Sequence, residues 1–207
     1  PFIENLAPVD SCHLNGLAVK NGKPAFISAL GSSNVGEGWR KNKSTGGVII
    51  DIESNEIVCD KLAMPHSPRI FNNELYCLLS ATGELIKVDT INGSFEVVKN
   101  LNAFARGMDK IGDYVFIGLS KIRKESQAFN DLPNSKKSNQ AGIVILHLPT
   151  LSFVGSIIYL NSVDEIYDVK VLENTLRPNI FNTEKDDHKI AVTSPTADFW
   201  TQPKNSS

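Results

Sequence analysis

Short apolar segments rich in Val, Ile, Phe and Tyr, each closed by Gly, Asn, Asp or Pro, recur along this chain as a four-segment unit. An internal repeat of that kind limits the fold more than any local signal does. Residues 17–20 and 25–30 flank Asn21-Gly22, a strong two-residue hairpin signal, and residues 47–52 and 56–62 follow, joined across Ser54-Asn55. With the first turns aligned, Gly22 falls opposite Asn73 and Gly112. The second segments then superimpose as Ala25-Phe26-Ile27-Ser28, Tyr76-Cys77-Leu78-Leu79 and Val115-Phe116-Ile117-Gly118, and the third as residues 47–51, 84–89 and 142–147. Fourth apolar runs end near Leu62, Leu101 and Leu160, and a further unit opens at Glu165-Ile166-Tyr167-Asp168 before the pattern becomes irregular.

The repeat predicts an all-β chain: a β-propeller of four-stranded antiparallel blades, three complete and one partial, at the roughly 40 to 50 residues such blades need. A β-sandwich of hairpins competes, but it has no reason to repeat a four-strand unit in register. Residues 1–183 are assigned to the blades and residues 184–207 to a polar tail containing Pro195 and Pro203. Residues 1–8 supply either the outer strand of a preceding blade or the strand that closes the ring.

Antiparallel topology sends successive loops to alternate ends of the strands. One end receives only tight turns: Asn21-Gly22, Ser54-Asn55, Asn72-Asn73, Asn92-Gly93, Ile111-Gly112-Asp113 and Pro149-Thr150. The other receives the long loops 31–45 and 121–140 and the inter-unit segments Cys12-His13-Leu14-Asn15-Gly16, Met64-Pro65-His66-Ser67-Pro68-Arg69, Phe104-Ala105-Arg106-Gly107 and Glu165-Ile166-Tyr167-Asp168. Long loops gathered on one end of a rigid scaffold are where binding and catalysis concentrate. The two long loops hold eight basic residues (Arg40, Lys41, Lys43, Lys121, Arg123, Lys124, Lys136, Lys137) against Glu37, Glu125 and Asp131, while the whole chain carries a net charge of -2. Trp39 and Phe129 lie in the same loops without core periodicity, and aromatics beside cations suit a ligand with an anionic group and a flat or apolar part.

Composition removes several classes. A net charge of -2 gives no global attraction to nucleic acid or to an anionic membrane, and no apolar run reaches the roughly 20 residues of a spanning helix. Cys12, Cys59 and Cys77 form no CxxC pair, which argues against a disulfide framework and points to a reducing, cytoplasmic setting. The chain starts at Pro1 with no signal region, consistent with an excerpt of a longer protein.

Aligning the inter-unit segments puts Asn15, His66, Ala105 and Tyr167 in one column and Gly16, Ser67, Arg106 and Asp168 in the next. Inner strands line the channel of a propeller, so polar residues there need a reason. A divalent metal is one reason: His13, Asn15, His66, Glu165 and Asp168 supply nitrogen and oxygen donors, although no local ligand spacing such as HExxH is present. General acid-base work by His13 or His66 with Glu165 or Asp168 is a second, and recognition of an anion by Arg69, Arg106 and Lys121 is a third. His66 and Ser67 adjoin in sequence, but neighbouring strand residues point to opposite faces, so they do not read as a nucleophile and its base. His147, between Leu146 and Leu148, reads as structural. The run from Gly31 to Gly38 lacks the GK[ST] ending of a phosphate-binding loop.

Cys12-His13-Leu14-Asn15-Gly16-Leu17-Ala18, Met64-Pro65-His66-Ser67-Pro68-Arg69, Arg106-Gly107-Met108-Asp109, Gly118-Leu119-Ser120-Lys121 and Glu165-Ile166-Tyr167-Asp168-Val169 together resemble the bacterial conserved hypothetical proteins grouped as domain of unknown function 4915, over roughly residues 1–180. The resemblance implies a propeller-like fold and brings no established activity. It also implies longer relatives with further strands before the segment matching Pro1, hence a ring completed by a missing segment or a partner chain.

The leading expectation is a module that binds a small anionic ligand or a peptide on its long-loop end. Its candidate residues are His13, Asn15, Trp39, Arg40, His66, Arg69, Arg106, Lys121, Glu165 and Asp168. The alternatives are a metal-assisted hydrolase or lyase of the lactonase-like propeller type, by fold analogy alone, and a structural protein-interaction module.

Overall fold

In the computed structural model, residues 3–4, 7–122, 129, 131–161, 163–176, 178, 184, 189–193 and 198–200 are described. The chain divides into two compact units, residues 1–171 and 172–207. The first holds twelve of the strands. They are β1 (Leu14–Lys20), β2 (Lys23–Ala29), β3 (Gly47–Asp51), β4 (Ile57–Leu62), β5 (Pro65–Phe71), β6 (Glu74–Leu79), β7 (Glu84–Val88), β8 (Phe95–Asn100), β9 (Phe104–Ile111), β10 (Tyr114–Ser120), β11 (Ala141–His147) and β12 (Ser152–Tyr159). They form three four-stranded antiparallel sheets in simple meander order, β1 to β4, β5 to β8 and β9 to β12. The second unit contains an antiparallel pair, β13 (Ala191–Thr193) with β14 (Asp198–Trp200). Pro195 and Pro203 of the expected tail, and Arg123, Lys124 and Glu125 of the long loop, lie outside the described residues.

Backbone chemistry at the turns explains the meander. Asn21 and Gly22 have φ of 53° and 76°, and Asn72 and Asn73 have 52° and 65°. Two successive left-handed residues are what a type I′ hairpin turn requires, and Asn and Gly are the residues that tolerate them.

Period-two alternation then distributes the side chains. In β6, Leu75, Cys77 and Leu79 enter the core between the first and second sheets, while Tyr76 and Leu78 enter the core between the second and third. The second sheet is therefore covered on both faces. The first core also takes Leu30, Ile49, Leu62, Met64 and Ile86, and the second Met108, Val115, Ile117 and Leu146. Along the edge formed by the first strand of each sheet, β5 lies beside both β1 and β9.

A serine near the end of each second strand stitches neighbouring sheets together. Ser28 Oγ donates to Asn15 Oδ1 at 2.7 Å, and the Asn15 amide donates across to the Pro65 carbonyl of the next sheet. Ser80 Oγ donates to the Ala105 carbonyl at 2.6 Å, again one sheet onward. Ser120 Oγ exchanges hydrogen bonds with Ile166, accepting from its N–H at 2.9 Å and donating to its carbonyl. Ile166 lies in the segment 163–171, whose part from Glu165 onward the sequence assigns to a fourth unit and which forms no strand among the described residues. That segment comes so close to β9 that a Cβ on Gly107 would meet the backbone of Asp168, and Gly107 has φ of 76°. No helix among the described residues is long and apolar enough to cross a membrane.

Candidate functional site

The first residues of β1, β5 and β9 and the segment 163–171 carry the polar side chains singled out in the sequence. Their hydrogen bonds sort them into fasteners and candidates for a ligand.

Asn15 is a fastener, held by Ser28 and Pro65. Arg69 is another. Its Nε donates to the Met108 carbonyl, Nη1 to the carbonyls of Leu17 and Pro68, and Nη2 to both carboxylate oxygens of Asp168 at 3.0 and 3.2 Å. Those acceptors lie in all three sheets and in the segment 163–171.

His66 is buried. Its Nδ1 lies 3.0 Å from the Met64 carbonyl and 2.8 Å from Ser80 Oγ. Ser80 spends its only proton on Ala105, so Oγ can only accept from His66, which places the imidazole proton on Nδ1 and leaves Nε2 bare. Burial pushes this histidine down to about 4; the Met64 carbonyl opposes the shift, and the charges of Arg106 and His13 reinforce it. At neutral pH it is uncharged. Ser67 turns away to accept the Gly107 N–H at 2.9 Å; the two adjacent residues diverge at an irregularity of the strand, where Ser67 has φ of 51° and the β5–β6 register shifts between His66 and Arg69.

His13 sits in a left-handed backbone conformation, φ 50°, an uncommon choice for this residue. Its Nδ1 is 2.8 Å from Asp10 Oδ2, which also accepts the Trp39 indole N–H at 2.9 Å. Partial burial pushes the Asp10 carboxyl up, but the hydrogen bonds of His13 and Trp39 and the charges of His13 and Arg40 outweigh it and leave the group below its ordinary value. The His13 and Trp39 rings lie 4.7 Å apart, and the Arg40 guanidinium sits 4.5 Å over the indole while pairing with Glu37. Trp39 is 3 % exposed and belongs to the first core. A short 3-10 turn over Gly38–Asn42 carries it inward, which the irregular loop sequence does not announce.

Arg106 is arranged differently from Arg69. Its guanidinium lies 4.3 Å over the Tyr167 ring and 5.2 Å over the Phe104 ring, and Nη2 donates to Glu165 Oε2 at 3.0 Å. Tyr167 donates its hydroxyl to that same oxygen. Arg106 Nε is buried and has no hydrogen-bond partner among the described residues. Phe104 also faces His66, ring centres 6.3 Å apart, and Phe129 at 5.7 Å.

Two further loop cations are paired: Lys121 with Asp164 at 3.0 Å and Lys43 with Asp131 at 2.7 Å. Thus Arg106, Glu165 and His66 come together, with His13 near enough to depress the His66 proton affinity, whereas Arg69 and Asp168 are committed to each other. Among the described residues, no group of three or more His, Cys, Asp or Glu side chains converges to hold a metal ion. Sequence reasoning missed Asp10, Ser80, Phe104 and Tyr167 as working parts. A carboxylate three residues before His13 and a serine closing each second strand are the signals that mark the first two.

An all-β protein of repeated four-stranded antiparallel meanders, stitched along their first strands and bearing an arginine over two aromatic rings, is the class these features define. The chain belongs to the family described as Domain of unknown function (DUF4915), whose profile matches residues 1–181. Among solved structures it is similar to the crystal structure of the computationally designed Ika4 protein, at 9% sequence identity and a TM-score of 0.48, covering 83% of this chain and 85% of that one. No curated protein matches it.

Proposed function

We propose that the three sheets are blades of a β-propeller and that its loop-bearing end binds a small anionic ligand at Arg106. The observation that carries this reading is the bare, buried Nε of a partly exposed guanidinium that lies over two aromatic rings. A buried N–H without an acceptor costs about 1–3 kcal/mol, which an incoming carboxylate or phosphate oxygen would recover. Glu165 orients the other edge of the group without occupying Nε, and the exposed Tyr167 ring offers flat apolar contact for the body of the ligand. Neutral His66 and half-exposed His13 stand close by as hydrogen-bonding groups.

The test is calorimetric titration with benzoate, glutarate, citrate and inorganic phosphate. At least one should bind the wild-type protein, lose binding in Arg106→Gln and keep part of it in Arg106→Lys, which retains the charge but not the forked geometry. Equal affinity of every binding anion for wild type and Arg106→Gln, or no binding by any of the four, overturns the proposal.

A further inference from the structure

At the opposite end, among the tight turns, the first and second sheets enclose a groove of about 500 Å³. That volume is within the roughly 300–1,000 Å³ of small-molecule sites. Its floor is apolar, made by Phe26, Ile70, Leu75, Val88 and Phe95. Its walls carry opposite charge. Lys20, at the end of β1, makes no ion pair with any described residue. Across from it, Glu74 and Glu96 share the single ammonium of Lys87, at 3.3 and 2.7 Å. Two carboxylates on one cation leave one negative charge uncompensated. Asp89, the third acid in the lining, is consumed by its own turn, accepting the N–H groups of Ile91 and Asn92 and the Asn92 amide. Glu74 also accepts the Tyr76 hydroxyl at 2.9 Å, so Glu96 is the acid with capacity to spare. The hydrogen bonds of Glu96 and then Glu74 push the Lys87 ammonium up, in keeping with the acidic excess on that wall.

We propose that this groove is a second binding site, for a small apolar zwitterion of the amino-acid or dipeptide class, its carboxylate toward Lys20, its ammonium toward Glu96 and its side chain on the Phe26 and Phe95 floor. An anion alone would meet Glu74 and Glu96, and a cation alone would meet Lys20, so each lone charge gains one wall and opposes the other. The apolar floor selects an aromatic or branched side chain over a small polar one.

The experiment titrates the full chain with L-phenylalanyl-L-leucine, its N-acetyl derivative and its C-terminal amide, following NMR shifts of groove residues. The parent dipeptide should bind most tightly, and each derivative should lose about three- to fivefold, the worth of a half-exposed ion pair. Lys20→Glu should weaken the parent by at least a similar factor while tightening the amide, whose positive charge that wall no longer opposes. Arg106→Gln should bind the parent as wild type does, which separates this groove from the anion site. Equal binding of all three compounds, unchanged binding in Lys20→Glu, or shifts that avoid the groove overturns the proposal.

Discussion

Arg69 and Arg106 stand on the first strands of neighbouring sheets, two positions apart in the repeat, and the structure uses them in opposite ways. Arg69 makes as many acceptor contacts as a guanidinium has N–H bonds, to Met108, Leu17, Pro68 and twice to Asp168. Among the described residues Arg106 makes one hydrogen bond, to Glu165, and is otherwise held by ring faces with Nε bare. A saturated guanidinium is a rivet. One that is positioned but unsaturated can receive a ligand.

Breaking the rivet should produce the largest effect. Arg69→Met strands three backbone carbonyls and the Asp168 carboxylate, and should lower unfolding free energy by about 3–4 kcal/mol in urea melts followed by Trp39 fluorescence. A loss below about 1 kcal/mol would show that solvent replaces those bonds and that the contrast between the two arginines is false.

His66 supplies the next effect, through pH. Its folded value of about 4 lies below the ordinary 6.5, so between these limits the unfolded chain binds the extra proton. The stability is fully present above pH 6.5, falls as the pH drops toward 4 and levels off below, a total on the order of 3 kcal/mol. His66→Asn keeps a donor in the Nδ1 position and removes the titration, so its urea midpoint should lose this step. Persistence of the full step in that variant would assign it elsewhere.

Ser80→Ala removes the acceptor of the His66 proton and the donor to Ala105, and should cost about 2 kcal/mol by the same urea melts. Arg106→Gln should be the mildest in stability, about 1 kcal/mol, because cation–π contacts and one ion pair are all that it loses. It should also move the His66 step toward higher pH, since the Arg106 charge helps to depress that histidine. A cost as large as that of Arg69→Met would make both arginines rivets and remove the ground for an anion site.

Much of the fold is legible in the sequence because its causes are local. Asn-Gly and Asn-Asn dipeptides set the hairpin turns, and alternating apolar residues such as Leu75 to Leu79 mark a strand buried on both faces. The same alternation predicts the divergence of His66 from Ser67, which the structure reaches through a strand irregularity at Ser67 that the sequence does not announce. Trp39 was not legible as a core residue, because a loop has no period from which inward and outward positions can be read.

The candidate site was legible only as a set of residue types. That Arg69, Arg106, Glu165 and Asp168 gather near the inner strands follows from the repeat. Which arginine pairs with which acid does not: Arg69 finds Asp168 at a separation of 99 residues, and Arg106 finds Glu165 at 59. By itself the sequence determined the strands, the turns and the family, since dihedral preferences and side-chain periodicity act between neighbours in the chain. Tertiary structure decided which polar groups were consumed and which left with capacity to bind, because hydrogen-bond saturation depends on partners that only the packing of one sheet against the next brings within 3 Å.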